Sequence, residues 1–173
     1  MRHYQFECIG LDGYAGIREE IHGILYRAFF GQNYAFIQAM EKAVESAARY
    51  SIDADNAHIL LALRVMTRNI AVTVSCLSCR TKVFDAFAFR KTLRNLVKDP
   101  IVKEMDWGAY IRQQDTDAGI WYMLIGSEYL CMDAQGQSVT MVARRSILPI
   151  DITENRIGLL VSRFLIKQNG VVF

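Results

Sequence analysis

Proline and glycine are scarce where they would matter most. Only Pro100 and Pro149 occur in 173 residues, and no Ser/Gly-rich tract is present, so a linker between two domains is not expected. Between Gly31 and Gly108 there is no glycine at all. No stretch of about 18 residues is apolar throughout, the length a membrane helix requires. The best candidate, Ile157 to Ile166, is interrupted by Arg163. The first fourteen residues lack an unbroken apolar segment, which argues against a secretory leader. The three histidines (His3, His22, His58) are far apart and no Gly-x-Ser-x-Gly occurs, so no hydrolase triad can be proposed. A net charge of +2 implies no obligate nucleic-acid partner. These features predict one soluble, cytoplasmic domain whose four cysteines stay reduced.

What remains is ordinary globular composition, 52% hydrophobic and 22% charged. Residues 3 to 9 alternate as a strand. Gly13 and Gly16 then punctuate the start of an amphipathic helix through Ile17, Ile21, Ile24, Leu25 and Ala28. A second helix is marked by Phe36, Ile37, Met40, Ala43, Val44, Ala47 and Ala48, with Gln38, Glu41, Lys42, Glu45 and Arg49 on its other face. Residues 57 to 66 and 70 to 76, separated by Thr67-Arg68-Asn69, predict a hairpin.

Helical spacing returns over 83 to 98 and again over 118 to 125. A second hairpin, 129 to 132 and 138 to 143, turns at Ala134-Gln135-Gly136. Asp151 with Glu154 suggests a capping box for a last helix that stops at Asn169-Gly170. The predicted class is α+β: a two-layer sandwich, its mixed, mostly antiparallel sheet covered by helices on one face. Residues 1–146 form the domain. Residues 147–173 add an amphipathic helix that packs on the same domain or serves dimerisation or docking.

This order carries a resemblance. Ser46-Ala47-Ala48-Arg49-Tyr50-Ser51, closing a helix before two strands, resembles the N-box of the GHKL ATPase superfamily. Ala118-Gly119-Ile120-Trp121 looks like the family's Gly-x-Gly-Leu helix. Gly136-Gln137-Ser138-Val139-Thr140 is similar to its Gly-Gly-Thr-Val strand. Short chains with this layout most resemble the anti-sigma-factor serine kinases of bacterial partner-switching systems. The resemblance implies a Bergerat-type fold and an ATP and Mg²⁺ site touching Ser46, Gly119, Gly136 and Ser138. It implies a sigma factor or an anti-sigma antagonist as partner.

The departures are chemical. Lys42 stands where the family has its acidic base, and Ser46 where it has the Mg²⁺-binding Asn. A charged lysine neither accepts a proton nor coordinates a cation. The family's Asp-x-Gly-x-Gly adenine box should follow the second strand, where this chain has Val74-Ser75-Cys76-Leu77-Ser78-Cys79. The expectation is a regulatory binding module with a defunct nucleotide site and no cofactor. The alternative is an active serine kinase in which Glu41 or Glu45 substitutes.

Three further features are weighed. Cys76-x-x-Cys79 reads first as structural, since zinc needs a second pair and a redox motif needs a helix N-terminus. Residues 80 to 98 hold six cations against Asp85. That is foremost a solvated face and secondly, through Arg90, Lys91 and Arg94, a dock for an acidic partner. Asp115 and Asp117 read as helix-capping residues rather than general acids.

Overall fold

The computed structural model describes residues 1–31, 33–51, 53, 55–79, 81–87, 91 and 118–145. Of the expected helix over 83 to 98, residues 88–90 and 92–98, with Arg90 and Arg94, lie outside these residues. So do Asp115, Asp117 and the C-terminal extension.

Strand β1 (Arg2–Ile9) runs directly into helix α1 (Gly10–Ala28). Gly10 makes that turn with a φ of 63°, which a side chain would resist, and its N–H donates to the Ala57 carbonyl. Gly13 and Gly16 therefore lie inside the helix and do not mark its start. Helix α2 (Tyr34–Arg49) is capped by Asn33, whose side chain accepts from the Phe36 N–H at 3.1 Å. Strands β2 (His58–Val65) and β3 (Asn69–Cys76) form the first hairpin. Helix α3 (Ala118–Gly126) precedes the second, β4 (Tyr129–Met132) and β5 (Ser138–Arg144).

The five strands pair in the order β1-β2-β3-β5-β4. Among the described residues every neighbouring pair is antiparallel, where a mixed sheet was expected. The reason is that β5, not β4, seals against β3: β4 runs parallel to β3, but an antiparallel strand lies between them.

Register puts one apolar row across the sheet. Phe6 pairs with Leu61, Leu61 with Val74, and Val74 with Val139. A second row runs through Tyr4, Leu63, Val72, Met141 and Leu130. Residues of α1, α2 and α3 cover this face, among them Ile21, Leu25, Phe36, Met40 and Met123, all fully buried. Each such side chain contributes about 1.5–3 kcal/mol when withdrawn from water. The fold is thus α+β with helices on one face. The other face carries Gln5, Thr73, Ser75, Ser138 and Thr140, and pairs its hydroxyls across strands: Thr73 with Thr140 and Ser75 with Ser138, each at 2.9 Å. Among the described residues, no helix is long and apolar enough to cross a membrane.

Candidate functional site

The candidate site begins with how α2 meets α3. Five positions of this seam are small: Ala35, Ala39 and Ser46 on α2, Gly119 and Gly126 on α3. A Cβ added to Gly119 would lie 2.8 Å from Ser46 Oγ and 3.6 Å from the Lys42 carbonyl. One added to Gly126 would collide with the Ala35 carbonyl and stand 2.6 Å from Ala39 Cβ. The two helices run antiparallel, backbone close to side chain. Ser127 ends α3 by donating its hydroxyl to the Met123 carbonyl.

Two of the sequence-derived positions, Ser46 and Gly119, are therefore brought together. The contact is a packing contact: the serine hydroxyl rests against the α3 backbone. Lys42 sits one turn earlier on the same seam. Its ammonium is 2.6 Å from Glu45 Oε2 and 6.0 Å from the centre of the Tyr122 ring on α3. A cation and a packed hydroxyl do not make a ligand pair for Mg²⁺, which demands oxygen donors in near-octahedral array.

The remaining positions lie elsewhere. Gly136 turns β4 into β5 at a φ of 69°, and a Cβ there would meet Lys82 Cβ at 2.8 Å. Ser138 is on the helix-free face, hydrogen-bonded to Ser75. Lys91 is exposed. Sheet geometry thus separates Ser138 from Ser46: one side of the sheet holds the hydroxyl ladder and the other the helices.

Where the adenine box was expected, the chain makes a closed loop instead. Cys76 and Cys79 are joined by a disulfide with Cα atoms 5.8 Å apart, correcting the expectation that all four cysteines stay reduced. A four-residue turn at the strand end brings the two Cα atoms within bridging range. The loop is pinned on both sides. Leu77 N–H donates to the His58 carbonyl at 2.8 Å and Ser78 Oγ accepts from His58 N–H at 2.9 Å. Cys76 N–H donates to the Gln137 carbonyl at 2.9 Å. Cys8 and Cys131 are free thiols, and burial pushes the Cys8 thiol up.

Sequence reasoning missed a polar cluster between α1 and α2. Arg18 Nε donates to Glu41 Oε1 at 2.6 Å, and His22 Nε2 lies 3.1 Å from the same oxygen without hydrogen-bond alignment. Nearby, the buried Tyr14 hydroxyl has no hydrogen-bond partner among the described residues. Burial foremost, and then the Glu41 carboxylate, push the Tyr14 phenol well above its ordinary range. The signal was the i, i+4, i+8 spacing of Tyr14, Arg18 and His22 on one helix face. No group of three or more His, Cys, Asp or Glu among the described residues could hold a metal ion.

Compared with protein-family models, with characterised proteins and with solved structures, the chain matches none.

Proposed function

We propose that the chain is a regulatory protein-binding module of the anti-sigma type, built on a Bergerat-like scaffold whose nucleotide site is closed. The observation that carries this reading is the Ser46–Gly119 contact. In the superfamily these two positions face Mg²⁺ and phosphate; here the Ser46 hydroxyl lies against Gly119, 2.8 Å from where a Cβ on that glycine would be. The element order supports the scaffold, and the disulfide-closed loop after β3 leaves no glycine-rich turn for an adenine ring. A sigma factor or an anti-sigma antagonist is the expected partner.

The kinase alternative needs a carboxylate in place of Lys42. Glu41 is committed to Arg18, and Glu45 to Lys42 itself. Neither is placed as a free base on the α3 side of α2.

Thermal unfolding with and without millimolar Mg²⁺-ATP or Mg²⁺-ADP tests the closed site. A ligand at 100 times its dissociation constant would stabilise the fold by about 2.7 kcal/mol. No shift is expected, either for the native chain or after Lys42→Glu with Ser46→Asn. A shift in the native chain would return the kinase reading. The partner is tested separately, by calorimetric titration with purified sigma factors and antagonist-type proteins from the same genome. Absence of binding to all of them would overturn the anti-sigma assignment.

A further inference from the structure

At the end of the sheet remote from the disulfide loop, a cleft of about 360 Å³ opens between the C-terminus of α1 and the β2–β3 turn. That volume falls within the range of small-molecule sites, roughly 300–1,000 Å³. Three arginines line it: Arg2 from β1, Arg27 from the last turn of α1, and Arg145 just after β5. Among the described residues no carboxylate lines it. Arg2 and Arg27 have no ion-pair partner among the described residues. Guanidinium groups stay charged at any pH a protein experiences, so the cleft cannot relieve its repulsion by losing protons.

Arg145 is held rigidly without being neutralised. Its Nε donates to the Ala28 carbonyl at 2.7 Å and its Nη1 to the Met66 carbonyl at 3.0 Å. Phe30 lies over the guanidinium, with the ring centre 4.6 Å from Cζ. Phe30 keeps this position at a φ of 54°, a conformation that costs a bulky residue strain, although the residue is 62% exposed. Backbone carbonyls and an aromatic face fix the direction of the cation, and no carboxylate among the described residues pairs with it. A fixed cation that lines one cleft with two others, from different elements, suits a multiply charged oxyanion.

We propose that this cleft binds a small phosphorylated molecule, its phosphate oxygens taken by Arg2, Arg27 and Arg145. The site lies apart from the α2–α3 seam and does not depend on the regulatory reading above. The volume exceeds what a bare phosphate needs and admits a short organic body beside Tyr4 and Thr67.

The test uses inorganic pyrophosphate as probe, titrated calorimetrically into the full chain at constant ionic strength. Binding in the millimolar range or tighter is expected. Arg2→Gln and Arg27→Gln, both at exposed positions, should each weaken it by about tenfold or more, the loss of one charge-assisted contact. Arg49→Gln, at the exposed end of α2, should leave it unchanged. No heat at millimolar pyrophosphate, or equal weakening by Arg49→Gln, overturns the proposal. Citrate binding more tightly than pyrophosphate would overturn the assignment to phosphate. Arg145 is left intact because it also holds the β2–β3 turn.

Discussion

Gly119 and Ser46 share one point of the α2–α3 seam, with 2.8 Å between the serine Oγ and the place a Cβ on residue 119 would take. Helix propensity alone favours alanine over glycine by about 1 kcal/mol. Gly119→Ala is nevertheless expected to destabilise, because overpacking costs about 1–3 kcal/mol. Ser46→Ala removes the crowded oxygen and should recover part of the loss. A double-mutant cycle from urea unfolding checks this, and a coupling below about 0.5 kcal/mol would mean the helices simply move apart.

The Tyr14 hydroxyl is buried without a hydrogen-bond partner among the described residues. Tyr14→Phe deletes that unmet polar group while keeping the ring, so stability should rise by about 1 kcal/mol. The same burial raises the folded-state phenol above its unfolded value. Its contribution is fully present below the unfolded pKa and is lost as pH climbs above it. The stability of the native chain should therefore fall more steeply at alkaline pH than that of the Phe variant. Identical slopes would remove Tyr14 from the account.

Reduction of Cys76–Cys79 is expected to lower stability by about 2 kcal/mol, the entropy of so short a loop. The Cys76→Ser, Cys79→Ser variant should unfold like the reduced protein, and further reductant should not affect it. Hydrogen exchange should locate the change at Leu77, whose N–H is held by His58.

Asp53 sits at the turn after α2, where the Asn56 side chain, and then the Asp55 backbone N–H, hold its carboxyl below the ordinary value of 3.8. A depressed folded-state pKa means that the stabilisation is complete above the unfolded value and fades as pH falls through the folded one. Carboxyl NMR titration should find Asp53 ionised at a pH where an unstructured aspartate is half protonated. In Asn56→Ala the titration should move back towards 3.8.

Much of this architecture was legible because it is local. The apolar positions of α2 repeat at helical spacing, and both hairpins show period-2 alternation around short turns. The pairing of β3 with β5 was not legible, since Val72 and Met141 meet across a long span of chain and leave no mark in either strand's own pattern. Gly119 stands in a stretch whose helical spacing is plain, but its packing role is not, because that depends on Gly126, about two turns of helix further on, facing the same α2 surface. Asn33 is a helix cap whose cue lay just before Phe36. The arginine cleft was invisible because Arg2, Arg27 and Arg145 belong to three separate stretches of sequence. Meanwhile, of the conspicuous cations of residues 80 to 98, Arg90 and Arg94 lie outside the described residues.

The strand order has a consequence for how the chain is made. As the polypeptide leaves the ribosome, β1, β2 and β3 can pair as soon as Cys76 emerges. The free edge of β3 then has to wait for Ser138–Arg144 before its hydrogen bonds close. Until that moment the strand with the most buried positions in the described sheet is an open template for a wrong neighbour. Nascent chains halted before residue 138 should be the aggregation-prone species, and the last described strand is the one that ends their exposure.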